Sequence, residues 1–517
     1  MLLEQESVTG PAVRPPSVYR DPVTWVVAGT VFSVYTILSV FRLLRLDPTS
    51  FDLSVFTDEV KQYAHLHAPV ADVKGPGFNL LGDHFSPIVA VLAPFFRVFP
   101  SPATLLVAQA LLAAASVFPV SQVARERLGL APARVIAIVY GFSWGLQEMT
   151  NYDFHEIAFA VPLLAFSLSA MVRGRIPAAV WWALPLVFVK EDQGFTVAAI
   201  GVYMRLSTLR DSELDRSRIR AGRFLMIWGL GWSILAIAVI IPHFNAEHQY
   251  SYWAQGGALA PGQSVSPLAM VRQFFTDWPV KLQTVVLLLM PTAFIALRSP
   301  LVLLTVPSLA LRFESSDNVY WGTSWHYNAT VMPIMFIAAV DAVARIAAAR
   351  APEAGPVLAD PGWARWAAGL RAWWRDVMAG AGRYGIAMML AIAVGLSFQY
   401  PLSGLWNGQT YATGTEEVQA QDAAMALVPN GATVATLLDL LAPLAARTDV
   451  FWMSNGGNPA TQYIVFDANQ TGTSNVPAYI AQSLPGHQYT EIFDQDNVWV
   501  FRLDGLTAPP GTNRPRS

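Results

Sequence analysis

Apolar runs dominate this chain, at about residues 23–44, 102–123, 134–149, 155–172, 176–190, 193–206, 223–243, 279–297, 299–313, 328–347 and 384–400. Out of water a backbone satisfies its hydrogen bonds only within helices or closed barrels, and runs of this length suit helices. The chain therefore reads as an α-helical polytopic membrane protein of about 11 spans. Hydrophobic residues make up 54% of the 517 and charged ones 13%, too little charge for a soluble protein of this size. There is no cysteine, which excludes disulfides and thiolate metal sites. A net charge of −3 without a basic tract gives no support for nucleic-acid binding.

Arginine and lysine placement orients the spans. With segment 1–22 inside, the inner segments hold 20 of the 33 cations, among them Arg125, Arg127, Arg173, Arg175 and the run from Arg205 to Arg223. This count requires that 86–99, with Pro87, Pro94 and Arg97, lie on the membrane or re-enter it rather than cross. Arg42 and Arg45, near the outer end of the first span, oppose the assignment; an outer phosphate would suit them. Segment 1–22 lacks the basic and small-residue pattern of a cleaved signal, so the first span is expected to stay in the membrane.

The outer loop 46–101 carries an amphipathic pattern from Phe51 to Tyr63. From about 405 to 506 the pattern becomes that of a small extracytoplasmic α/β domain. Strands are expected at Thr433–Thr436, Val450–Met453 and Tyr463–Phe466, helices at Leu437–Ala446 and Val476–Ser483, and a closing hairpin at Tyr489–Phe493 with Val498–Leu503. The inner stretch 350–383, with four tryptophans among arginines, suits an interfacial helix, and the tail 507–517 reads as disordered.

In this topology the ionisable clusters fall on the outer side, as do all eight histidines. Such gathering marks a place of binding or chemistry. Asp52 is the first acidic group beyond the membrane and is flanked by apolar residues, where burial can raise its pKa toward that of a working base. Asp58 and Glu59 read as ordinary loop decoration. Asp83-His84 precedes Ser86-Pro87, so Asp83 can cap a helix, while His84 can bind phosphate or metal. Asp153, His155 and Glu156 crowd one tight turn; Lys190, Glu191 and Asp192 close the next. Lys190 would lie where a lipid phosphate sits, or snorkel, with Glu191 as its pair. Arg312, Glu314, His326 and Tyr327 bracket a third loop, and the Arg312 fork suits a phosphate. These histidines and carboxylates can hold a divalent metal, although no spacing such as His-x-x-x-His marks one. No P-loop, GxGxxG or GxSxG context appears.

The segments Phe51-Asp52-Leu53, Asn79–Pro87, Asp153-Phe154-His155-Glu156 and Val189–Asp192 resemble signatures of an uncharacterised prokaryotic family of predicted membrane proteins. The layout is in turn similar to the GT-C glycosyltransferases, such as the protein O-mannosyltransferases and the aminoarabinose transferases. In those families a long first outer loop carries an acid soon after the first span; Asp52 matches that position. Asp83–Pro87 is loosely similar to the His-Pro-Pro stretch of the mannosyltransferases. The resemblance implies transfer of a sugar from a polyprenyl-phosphate donor to a cell-envelope acceptor at the outer membrane face. Asp52 would be the base. Lys190, Arg312 and His84 would meet the phosphate, and Asp153, His155 and Glu156 would shape the sugar or metal site. A transporter or flippase for a lipid-linked or anionic solute is the competing reading, and a non-catalytic assembly protein the third.

Overall fold

The computed structural model describes residues 17–207, 213–252, 267–348, 380, 384–484 and 486–505. Apart from residue 380, the expected interfacial helix at 350–383 lies outside the described residues, as does the tail. Helix α1 (Pro22–Leu44) leads to the loop helix α2 (Asp52–Ala64) and the short α3 (Ala93–Val98). Then come α4 (Pro102–Leu128), α5 (Leu130–Gly141), α6 (Trp144–Asn151), α7 (Ala160–Val172), α8 (Ile176–Ala183) and α9 (Gln193–Leu206). They are followed by α10 (Glu213–Leu235), α11 (Ile241–Phe244), α12 (Pro267–Phe274), α13 (Trp278–Leu289), α14 (Val306–Glu314), α15 (Val331–Ala348) and α16 (Tyr384–Ser397). Among the described residues four helical stretches have the length and hydropathy to cross a membrane: Pro22–Leu44, Pro102–Leu128, Glu213–Phe244 and His326–Ala348.

Several expected spans are broken, among them the runs at 134–149 and 299–313. The run at 134–149 divides between α5 and α6 at Phe142-Ser143. The run at 299–313 begins as a 3-10 stretch, Pro300–Thr305, and becomes α14 only at Val306, where Pro307 sets φ at a first turn that has no N–H to lose.

Close packing of α9 on α10 explains how the Lys190–Asp192 turn is held. A Cβ on Gly194 would lie 2.3 Å from the Gly229 carbonyl oxygen, and one on Gly201 would lie 2.5 Å from that of Gly222. Glycines seven residues apart on both helices thus let the backbones touch, the small-residue contact that substitutes for hydrophobic driving force in lipid. Ser233 Oγ of α10 then donates to the Glu191 carbonyl at 2.6 Å, just before α9 begins. The helical core centres on α15, buried along most of its length against α4 and α7.

The C-terminal region forms one five-stranded sheet: β1 (Thr433–Thr436), β2 (Asp449–Trp452), β3 (Tyr463–Asp467), β4 (Tyr489–Gln495) and β5 (Val498–Leu503), in the order β2-β1-β3-β5-β4. β1 runs parallel to β2 and β3, while β5 is antiparallel to β3 and β4. Period-two alternation assigns the faces. Val434, Val465, Val498 and Val500 pack under α17 (Glu416–Ala426) and α18 (Leu438–Ala445). Ala435, Ile464, Phe466 and Phe501 meet Ala468 of α19 (Ala468–Thr471) and α20 (Val476–Ser483) on the other face. The β4–β5 hairpin turns on Asp496 and Asn497, both at positive φ, the left-handed pair that a two-residue turn needs and that Asp and Asn tolerate.

This sheet domain packs on the first long loop. Leu46, Val55, Ala71, Val73 and Leu80 share one apolar cluster with Leu440, Leu441 and Leu444 of α18. Phe51 stacks on Trp452 with ring centroids 5.1 Å apart. Lys61 Nζ, 2.7 Å from Asp58 Oδ1, also donates to the carbonyls of Ala445 (2.8 Å) and Thr448 (2.6 Å).

Candidate active site

The loops around residues 51–59, 82–87, 151–156, 190–192 and 325–327 converge on one cavity of two chambers. A polar chamber of about 230 Å³ is walled by Asp52, Val55, Phe56 and Glu59 of α2, with Lys74, Asp83 and Tyr152 opposite. A second chamber of about 210 Å³ runs past Glu191, Asp192, Tyr250, Ile157, Ser308 and Leu311. His84, His155, Lys190, Tyr252, His326 and Tyr327 line both, so they form the passage between them.

Asp52 opens α2, where a carboxylate is favoured by the positive end of the helix dipole. Its Oδ2 accepts the Tyr152 hydroxyl at 2.7 Å, and its backbone N–H donates to Ser50 Oγ at 2.9 Å. Lys190 Nζ is 3.2 Å from Glu156 Oε1, and Glu156 Oε2 is 2.7 Å from His155 Nδ1. The His155 ring stacks on His326 with centroids 3.5 Å apart. His84 Nδ1 meets Glu191 Oε1 at 2.8 Å, and the other oxygen of Glu191 accepts the Phe85 N–H at 3.1 Å. Tyr250 also donates to Glu191 Oε1, at 2.9 Å. Burial and Lys190 push the His84 imidazole down, but Glu191 and Asp83 outweigh them and hold it above the ordinary histidine value. Burial likewise works to raise the Glu191 carboxyl, and His84 and Lys190 overcome it, so Glu191 stays ionised. Asp83 pairs with Lys74 and accepts the Tyr252 hydroxyl at 3.2 Å, while Tyr252 stacks on the His84 ring. Asp83 is thus held at the wall by side chains and caps no helix with its own, as Asn79 does for the turn before it.

Asp153, Arg42, Arg45 and Arg312 have partners in the structure that the sequence did not suggest. Asp153 lines neither chamber. Held at φ +67°, its carboxylate accepts the Thr49 N–H at 2.8 Å and lies 3.6 Å from Arg42. Burial pushes it up to about 6 against the pull of Arg42. It fastens a strained turn to the end of α1, which also accounts for Arg42, whose guanidinium grips the Asn151 side chain and carbonyl. Arg45 pairs with Asp47 at 2.6 Å and donates to the Gln409 carbonyl at 2.9 Å. Arg312 does border the second chamber, but its fork is engaged by the carbonyls of Tyr320 (2.8 Å), Gly322 (2.9 Å) and Tyr327 (3.4 Å) and by Asn328 Oδ1 (3.0 Å). A phosphate would have to displace acceptors already in place, so Arg312 acts as the tie of the 318–328 loop. Tyr327 is placed in the passage by the same tie.

Sequence reasoning passed over Glu59, Lys74 and Tyr252. For Glu59 a signal existed: residues 52, 55, 56 and 59 follow the i, i+3, i+4, i+7 rule of one helix face. Lys74 ends the 3-10 turn Asp72–Lys74 and Tyr252 lies in another short 3-10 stretch, both too brief to carry a periodicity. Among the described residues no three histidines or carboxylates gather in a metal-holding group.

The chain belongs to the family described as "Predicted membrane protein (DUF2079)", which matches residues 42–494. No curated protein matches it. Its fold is similar to ArnT from Cupriavidus metallidurans, in a crystal structure bound to undecaprenyl phosphate. The TM-score is 0.50 at 14% identity, over 94% of this chain and 98% of that one. The apo form of ArnT gives 0.49 at 14% over 93% and 98%, and the Archaeoglobus fulgidus oligosaccharyltransferase 0.37 at 11% over 85% and 65%. At this identity the likeness to ArnT is one of fold.

Proposed function

We propose that this protein is a membrane glycosyltransferase that moves a sugar from a polyprenyl-phosphate donor to a hydroxyl acceptor at the outer membrane face. The observation that carries the reading is Asp52: a carboxylate at the start of α2, oriented by the Tyr152 hydroxyl, in a chamber that also holds the Lys190 ammonium. The likeness to ArnT, crystallised with undecaprenyl phosphate, supports a lipid phosphate as the donor's leaving group. Lys190 stands in the passage, where it would balance the charge that develops on the departing phosphate. Ile157 and Leu311 give the second chamber an apolar wall for the first units of the lipid tail. Asp52 would take the proton of the attacking hydroxyl.

The direct test is reconstituted protein supplied with undecaprenyl-phosphate sugars. Release of bare undecaprenyl phosphate with glycosylation of an envelope acceptor is expected; movement of intact donor across the bilayer would establish the flippase instead. Lys190→Met should weaken undecaprenyl-phosphate binding by about ten- to a hundredfold, the loss of one charged contact of about 1.5–3 kcal/mol. Because Glu156 would then be left buried without its ammonium, the double variant with Glu156→Gln is the control. The same loss there assigns it to the phosphate, and recovery of binding would remove Lys190 from the donor site.

Orientation is testable because the protein has no cysteine of its own. With Ser207→Cys and Ser474→Cys, an impermeant thiol reagent is expected to label only the second in intact cells. Labelling of position 207 alone would reverse the topology.

A further inference from the structure

Besides Asp52 and the Lys74-paired Asp83, the polar chamber has a third carboxyl, Glu59, that the transfer step above does not use. Glu59 lies seven residues after Asp52 on α2, and the two share the cavity-facing stripe with Val55 and Phe56. At ~1.5 Å rise per residue they stand about 10 Å apart along the helix axis, too far to act on one hydroxyl but suited to opposite ends of one small molecule. Glu59 is 1% exposed, and its Oε2 has no hydrogen-bond partner among the described residues. A buried carboxyl oxygen left without a partner on a cavity wall is costly unless a ligand completes it.

Resting on the glycosyltransferase reading, we infer that Glu59 is a specificity-determining residue of the donor site, binding hydroxyl groups of the transferred sugar. If Lys190 holds the phosphate in the passage and the lipid occupies the apolar-walled chamber, the sugar extends into the polar chamber, between Asp52 and Glu59. Tyr63 bonds Glu59 from its own helix, and Lys74, Asp83, His84, His155 and Lys190 face the same space from the loops. Burial, with Glu156 and Asp83 adding to it, pushes the Glu59 carboxyl well above the ordinary glutamate value, against the pull of the Tyr63 bond. A neutral carboxyl presents one O–H donor and one carbonyl acceptor, a match for neighbouring sugar hydroxyls, whereas an ionised one only accepts. Asp58, the other buried carboxyl of this helix, faces Lys61 and the sheet domain instead.

The experiment compares bare undecaprenyl phosphate with a panel of undecaprenyl-phosphate hexoses and pentoses, titrated into reconstituted protein. Wild type should bind at least one of the sugar-bearing lipids about tenfold or more tighter than the bare lipid. Glu59→Leu should erase that difference while still binding the bare lipid, and Glu59→Gln, a neutral isostere with one donor and one acceptor side, should keep most of it. A sugar advantage that survives Glu59→Leu overturns the inference, as does a wild type that binds the bare lipid but gains nothing from any sugar. Equal loss for bare and sugar-bearing lipids in Glu59→Leu also overturns it, since Glu59 would then be structural. Failure of wild type to bind the bare lipid at all would strike the glycosyltransferase reading itself, and the two results are separable.

Discussion

Asp52→Asn is expected to lower transfer by roughly two to four orders of magnitude, the range for a positioned acid–base group. The substitution keeps volume and shape, and asparagine Oδ1 can still accept the Tyr152 hydroxyl that Asp52 accepts at 2.7 Å. The amide cannot take a proton from an attacking hydroxyl. Donor affinity should change little, because the phosphate is assigned to Lys190, so the loss should fall on kcat. The measurement is single-turnover transfer by purified variant alongside lipid binding. Near-normal turnover with normal binding would mean that Asp52 is not the base.

The second large effect is on stability. Arg312→Met is expected to cost on the order of 3 kcal/mol or more. It strands the buried side-chain oxygen of Asn328 and the half-buried carbonyls of Tyr320 and Tyr327, and leaves Gly322 only its 3.4 Å bond from the Asn328 amide; each charged hydrogen bond is worth about 1.5–3 kcal/mol. The loop it ties carries His326 and Tyr327 into the passage, so activity should fall together with Tm. Thermal unfolding in detergent, read beside donor titration, distinguishes the roles. An unchanged Tm with selectively weakened donor binding would return Arg312 to the phosphate.

Part of the candidate site was legible before any fold was known. A charged or histidine-rich cluster at the end of an apolar run is anomalous in itself. The clusters at Asp83-His84, His155-Glu156, Lys190-Glu191 and His326-Tyr327 all stand on the cavity or directly behind it. What such a cluster does with its charges was not legible. Asp153 and His155 are two residues apart in one turn, yet the first binds the end of α1 and the second faces the chambers. A residue at positive φ redirects the chain by an amount that no local pattern encodes. Arg312 and Lys190 looked alike as cations at the ends of apolar runs. Only the carbonyls brought round by the 318–328 loop separate a structural tie from a group that faces the cavity.

The sequence by itself determined the helical membrane class, through its apolar runs and scarcity of charge, and the α/β character of the C-terminal region, through period-two and period-3.6 patterns. The strand Thr433–Thr436 and the helix Val476–Ser483 form at the residues where those patterns begin and end. These are short-range properties, written in neighbouring side chains and repeated often enough to be read. Tertiary structure alone decided that α2 is shared between two partners, turning Asp52 and Glu59 to a cavity while Phe51 and Lys61 grip the sheet domain some four hundred residues later in the chain. The physical reason is that a helix face states only that it wants burial. Which surface buries it depends on every other element competing for the same contact, and that competition is settled only in the folded molecule.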